Sequence, residues 1–311
     1  APMASPMAEA EIVRVRVAGK INLALRSGAR RPDGYHSLAT VFQAVSVYDE
    51  VEARWAPGTF TVSVTGEQAA LVPADGTNLA VKAARLLAAT AGAGRTDLGC
   101  HVAIRKAIPV TGGMAGGSAD AAGALLACAV LWDLDTSPDD LLELGARLGA
   151  DVPFSLTGGT ALGTGRGDRL TPALSRGSYH WVLALSDGEL STPEVFGRFD
   201  AITPEAAQRP EVPSALLNAL IGGDPLALGR QLVNDLQPAA LSLRPQLRQV
   251  LQAGLDLGAV GAIVSGSGPT VALLAADESA AIDLSVRLGS EGLCRAVKRV
   301  HGPVPGARLI G

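Results

Sequence analysis

Apolar positions recur along this chain with two different periods. Near the start, Ile12, Val13, Val15 and Val17 alternate in part with Arg14 and Arg16, which predicts a strand over residues 12–18. Residues 19–25, Gly19-Lys20-Ile21-Asn22-Leu23-Ala24-Leu25, give a second strand pattern punctuated by one Lys and one Asn. Pro32-Asp33-Gly34 has the composition of a turn. Beyond it, Val41, Phe42, Val45, Val47 and Val51 restore strand character over residues 40–52, and residues 59–64 add another strand. The spacing then lengthens. Ala80, Ala83, Ala84, Leu87 and Ala88 predict a helix over residues 79–91, for which Asn78 is a good cap. Residues 101–108 read as a strand and residues 121–131 as a helix that begins near Ser118. Ser137-Pro138-Asp139-Asp140 opens a further helix that should end near Gly149.

The second half mixes both periods. A glycine-rich run over residues 158–168 reads as a twisted hairpin, and residues 179–185 as a strand. Ser191-Thr192-Pro193 starts a helix with Phe196 in its first turn, and residues 201–213 are loop-rich. Helices are predicted over residues 216–220, 226–235 and 245–255, and strands over 259–264 and 271–275 around a Gly/Ser turn. We expect a short lead over residues 1–11, a first domain over 12–170 and a second over 171–311.

Composition narrows the function class. At 311 residues the chain can bury a sizeable core, and 48% hydrophobic with 18% charged residues describes a globular protein. A net charge of −4 with no Lys/Arg-rich run excludes an electrostatic case for nucleic acid or an anionic membrane, which leaves a small substrate; no obligate protein partner is inferred. Cys100, Cys128 and Cys294 are too few and too scattered for a disulfide framework or a zinc cluster, so reduced thiols and no metal-ligand set are expected. Residues 1–10 lack the basic start and apolar core of a signal peptide, and no apolar run reaches the length of a membrane span. These points predict a disordered lead and a cytoplasmic protein.

The strongest chemical signal is Pro109-Val110-Thr111-Gly112-Gly113-Met114-Ala115-Gly116-Gly117-Ser118-Ala119, between a strand and a helix. Glycines let an anion approach the main chain, and the helix that follows adds the positive end of its dipole, so the natural ligand is a phosphate. It is not a Walker loop, since no Lys stands between Gly117 and Ser118, and Met114 breaks the dinucleotide fingerprint. Other residues allow two readings each. Lys20 is either an edge-strand solubiliser or a functional cation, and Asp151, in Gly149-Ala150-Asp151-Val152-Pro153-Phe154, either a turn residue or a working acid. Tyr35 and His36 put an aromatic ring and an imidazole side by side in a loop.

Taken together, Lys20-Ile21-Asn22-Leu23, the loop over residues 109–120, and Ser265-Gly266-Ser267-Gly268-Pro269-Thr270 resemble the three motifs of the GHMP small-molecule kinases. Pro32-Asp33-Gly34-Tyr35-His36 and the stretch around Asp151 are similar to the branch that serves the methylerythritol phosphate route to isoprenoid precursors, whose substrate is a cytidyl diphosphate erythritol. The resemblance runs from about Val13 to Pro305. It implies an α+β, two-domain fold whose first domain is of the ribosomal-protein-S5 kind, with ATP, Mg2+ and substrate meeting in the cleft between domains. On matching positions, Asp151 is the general base and Lys20 its partner, and residues 109–119 cradle the ATP phosphates with Ser118 near phosphate or Mg2+. The same matching puts Asn78 and Lys106 by the adenine, Asn22 on the substrate, and Tyr35, His36 and Phe196 around the cytosine.

Those roles suit the residues. A carboxylate within reach can take a hydroxyl's proton as it attacks, and a lysine beside it holds that carboxylate ionised and offsets charge on the transferred phosphoryl group. Flat rings can stack on cytosine while His36 bonds its edge. Homoserine, mevalonate and galactose-type kinases, and a diphosphomevalonate decarboxylase, share the three motifs, as would a non-catalytic nucleotide-binding regulator. Tyr35-His36 separates the first group, and intact Lys20 and Asp151 the second. The loop departs from the expected pattern at Thr111, where a third consecutive glycine would be usual.

Overall fold

The computed structural model describes residues 11–311, so the lead expected at residues 1–10 lies outside the described residues. The first two predicted strands are one, β1 (Ile12–Arg30), which turns at residues 31–35 into β2 (His36–Trp55), its antiparallel partner from Ile12 opposite Arg54 to Arg30 opposite His36. The register slips between Ala18 and Gly19 and again between Asn22 and Ala24. Bulges of this kind re-aim side chains, and these two bracket Lys20 and Asn22. Then follow β3 (Phe60–Gly66), α1 (Leu79–Ala89), β4 (Cys100–Lys106), α2 (Gly116–Leu131), α3 (Pro138–Leu148), α4 (Val152–Thr157), β5 (Thr160–Gly165) and β6 (Arg169–Pro172).

β2 changes partner along its length, pairing β5 from Leu38 to Gln43 and β4 from Glu50 to Trp55. β3 runs parallel to β4, and α1 lies in the connection between them. Helices α1 and α2 cover one face of this sheet, burying Leu87 and Leu125 with Val15, Val17, Val51 and Ile104. The capping residues act as expected: Asn78 accepts from the N–H of Ala80, and Ser137 forms a capping box with Asp140.

The second half comprises β7 (Tyr179–Leu185), α5 (Thr192–Ile202), α6 (Ser214–Gly222), α7 (Pro225–Gly229), β8 (Val233–Asn234), α8 (Gln237–Leu243), α9 (Leu247–Asp256), β9 (Gly261–Val264), β10 (Val271–Ala275), α10 (Glu278–Ser290), β11 (Ala296–Gly302) and β12 (Arg308–Ile310). Its four-stranded sheet has the order β11-β7-β10-β9. In β7, Tyr179, Trp181, Leu183 and Leu185 join the first half's core, while Val182 and Ala184 face a second core with Phe199 and Leu284. This is the period-two alternation of a sheet covered on both faces.

Three expectations need correction. The helix expected over residues 226–235 stops at Gly229, and Val233–Asn234 instead forms a strand parallel to β1. The division expected between residues 170 and 171 falls inside β6, and β8 and β12 both return to pair with β1, so the first sheet is built from both halves of the chain. The helix after the central loop starts at Gly116, two residues before Ser118.

Candidate active site

The loop between β4 and α2 is shaped as an anion cradle. Ala115 holds a left-handed conformation at φ 59° and caps α2 with no side-chain bond, so the first N–H groups of the helix are left to a ligand. Gly117 is exposed and a Cβ there would meet nothing within 4 Å. Met114 is buried and anchors the loop in the core, and its carbonyl accepts the backbone N–H of Lys20 at 3.2 Å. Val110 N–H reaches Gln68 Oε1 at 3.0 Å, and Pro109 is buried while Thr111 is exposed. Ala119 N–H closes the first helical bond to Ala115 at 2.9 Å.

The Ser265–Thr270 turn docks directly on this loop. Ser265 Oγ donates to the Gly113 carbonyl at 3.0 Å, and Thr270 N–H to the Gly112 carbonyl at 3.2 Å. Gly113 has φ 78°, and a side chain there would collide with the Ser265 carbonyl, so both its conformation and the close approach require glycine. Asn234 Nδ2 donates to the carbonyls of Val264 and Gly266 at 2.9 and 2.8 Å and fixes the turn from below.

Lys20 lies at this junction. Its ammonium donates to Asn22 Oδ1 at 2.7 Å and stands 3.4 Å from the Gly113 carbonyl, while Asn22 Nδ2 donates to Thr40 Oγ1 at 2.8 Å. Burial lowers the Lys20 pKa, and the charge of Asp151 partly opposes that shift. Asp151 thus stands near enough for its charge to act on the ammonium. Asp151 is neither a plain turn residue nor a capping one: it occupies the N-cap position of α4, where its side chain makes no capping bond and stays available. Ser118 faces the same space, its hydroxyl 3.9 Å from where a Gly149 Cβ would stand.

Two residues expected by the adenine have other occupations. Lys106 is buried, its ammonium 2.5 Å from Asp49 Oδ2 and 2.8 Å from Asp120 Oδ2, under the first turns of α2. Asp49 also accepts the N–H groups of Ala107 and Ile108, at 2.7 and 2.9 Å. The ammonium thus anchors the phosphate loop from beneath. Asn78 is buried too, with its oxygen on Ala80 and its amide on the Pro73 carbonyl. Sequence reasoning missed Asp49, because an acid between Tyr48 and Glu50 in a strand reads as a solvent-side position; it also missed Asn234.

At the other end of the cleft, Phe196 of α5 stacks on His36 with ring centroids 4.6 Å apart, so it is His36 and not an open gap opposite Tyr35 that covers its face. Tyr35 is 55% exposed, with the Arg166 guanidinium 5.5 Å from its ring centroid. Arg166 itself pairs with Asp168 at 3.1 Å.

An anion cradle, a buried lysine and an uncommitted carboxylate, meeting between two α+β halves, define a small-molecule kinase. The chain belongs to the GHMP kinase family: its N-terminal domain matches residues 78–159 and its C-terminal domain residues 215–292. It is 51% identical to the 4-diphosphocytidyl-2-C-methyl-D-erythritol kinase of Thermobifida fusca, covering 96% of this chain and 98% of the relative. It is 52% identical to that of Streptomyces coelicolor, covering 96% and 99%. Among solved structures, a 4-(cytidine 5'-diphospho)-2C-methyl-D-erythritol kinase superposes with a TM-score of 0.73 at 30% identity, covering 96% of this chain and 99% of that one. A mevalonate kinase from L. major shares the fold at a TM-score of 0.76 and 17% identity, covering 97% and 99%. No helix among the described residues is long and apolar enough to cross a membrane.

Proposed function

We propose that this chain is an ATP-dependent kinase that phosphorylates the 2-hydroxyl of 4-diphosphocytidyl-2-C-methyl-D-erythritol, in the methylerythritol phosphate route to isoprenoid precursors. The observation that carries the chemistry is the convergence of Lys20, Asp151 and the uncapped start of α2. Residues 109–119 bind the ATP phosphates through main-chain N–H groups, and Asp151 removes the hydroxyl proton as the oxygen attacks in line. The Lys20 ammonium stabilises charge on the phosphoryl group in flight, and Asn22 orients it through their 2.7 Å bond. Tyr35, His36 and Phe196 hold the cytosine, whereas the side chains of Asn78 and Lys106 shape the adenine side from within.

Ser118, whose hydroxyl lies 3.9 Å from where a Gly149 Cβ would stand, would hold Mg2+ that arrives with the nucleotide, as a hard oxygen ligand of the kind that ion takes. When bound, the ion neutralises phosphate charge. The cysteines are free thiols, which supports a cytoplasmic, reducing setting, and the reading needs no protein partner.

In an ADP-release assay with the cytidyl substrate, Asp151→Asn is expected to lower turnover about 10²- to 10⁴-fold while both KM values stay within a few-fold. Near-normal turnover by that variant refutes the base assignment. Preference for homoserine or mevalonate as acceptor, or failure of CMP to compete, refutes the substrate.

A further inference from the structure

Asp200 is a residue to which neither the three motifs nor the chemistry above gives a role, and its only described side-chain contact is with the base pocket. Its Oδ1 stands 2.7 Å from His36 Nε2, joining α5 of the second half to the first residue of β2. Phe196, Phe199 and Asp200 share one face of α5 at spacings of three and four residues. The two rings hold the imidazole plane, Phe196 stacked at 27° and Phe199 edge-on at 74°. A ring held in that plane can still present either nitrogen to the ligand after a half-turn. The carboxylate decides which.

We propose that Asp200 is a positioning residue that selects cytosine over uracil by fixing the His36 tautomer; this rests on His36 being the cytosine partner. A carboxylate only accepts, so Nε2 carries the hydrogen, and in a neutral imidazole the lone pair then lies at Nδ1. Nδ1 has no hydrogen-bond partner among the described residues, although the His36 side chain is only 7% exposed. An acceptor there matches the 4-amino group of cytosine. Uracil offers a carbonyl oxygen in the same place, so two acceptors would face each other and neither would be satisfied.

The test compares the unmodified protein with Asp200→Ala and Asp200→Asn, using KM for ATP and for the cytidyl substrate, kcat, Tm, and inhibition by CMP and UMP. Asp200→Ala should raise the cytidyl KM about tenfold and reduce the preference for CMP over UMP by about as much, the effect of one lost orienting hydrogen bond in a buried site. The ATP KM and Tm should hold. Asp200→Asn keeps a carbonyl oxygen able to accept Nε2–H and should restore both quantities. An unchanged preference in Asp200→Ala overturns the proposal, as does a variant whose ATP KM and Tm shift together with the cytidyl KM. Failure of the unmodified protein to bind CMP or turn over the cytidyl substrate would instead overturn the functional reading beneath it.

Discussion

Beneath the phosphate loop two carboxylates share one ammonium, and they are unequally served. Asp49 accepts from two backbone N–H groups and from Lys106. Asp120 has Lys106 on Oδ2, but its buried Oδ1 has no partner among the described residues. Burial pushes the Asp120 carboxyl well above its ordinary value of 3.8; Lys106 opposes the shift and Asp49 adds to it. The folded protein thus holds this proton more tightly than the unfolded chain does. The resulting stability is fully present below 3.8, the ordinary value, and is lost as pH rises through the folded value. The slope reaches at most about 1.4 kcal/mol per pH unit for one proton. Asp120→Asn has no proton to lose, keeps an oxygen for Lys106, and puts an amide where Oδ1 is unpartnered. Its stability relative to the unmodified protein should therefore increase with pH, becoming about 1–3 kcal/mol more favourable by pH 8, the scale of one unsatisfied buried polar group. Urea unfolding followed by circular dichroism from pH 5 to 8 measures this directly. A difference that does not change with pH, or a variant less stable at pH 8, refutes the reasoning.

Two further outcomes follow from the same site. Thr111 has φ 55° in an exposed loop, a region that opposes a β-branched side chain by about 1–2 kcal/mol. Thr111→Gly releases that strain and gives back about 0.5–1 kcal/mol in unfolded-chain entropy, so a net stabilisation of about 0.5–1 kcal/mol should appear in urea unfolding, and a loss of stability would contradict it. Burial lowers the Lys20 pKa from 10.5, so the ammonium loses its proton at lower pH than a free lysine, and kcat should fall on an alkaline limb below 10.5. In Lys20→Arg, slower throughout, the guanidinium stays charged and that limb should vanish from the pH–kcat profile; identical limbs would remove Lys20 from the transition state.

The residues easiest to read in the sequence are those whose chemistry is local. Glycines and a helix start announce an anion cradle, Ser137-Pro138 a helix cap, and Pro32-Asp33-Gly34 the turn of the long hairpin; the cap and the turn stand where expected, and the helix starts two residues early. The pairing of Lys20 with Asp151 comes only through the family resemblance, because 131 residues of chain separate them, and the contact of Ser265 with Gly113, 152 residues apart, has no sign in the sequence at all. What stayed hidden depends on partners that no local pattern names. Asp49 is buried because Lys106 and two backbone donors meet it, and Asp200 faces His36 only because α5 packs across from β2. The N-cap place of Asp151 is hidden in the sequence because α4 is six residues long, too short to show a period, although Pro153 near its start is a usable sign. The C-terminal strand was equally illegible, since Arg308–Ile310 pairs with residues almost three hundred positions earlier.

That last pairing bears on how the two ligands are held. β1 carries Lys20 and is bordered by β12, β2 and β8, so the strand behind the Lys20 ammonium is hydrogen-bonded along both edges by segments from both ends of the chain. The glycine-rich loop is fastened from three sides, to β1 by the Met114 carbonyl, to the turn before β10 by the Ser265 hydroxyl, and to β2 and β4 by the Asp49–Lys106–Asp120 cluster. At the base pocket, side chains bridge the halves instead, with His36 bonded to Asp200 and stacked on Phe196. Substitutions beneath the loop should therefore register in stability and in the ATP KM, whereas those on the inward face of α5 should register in the cytidyl KM. Substitutions in two regions that share no hydrogen-bond partner among the described residues should combine additively.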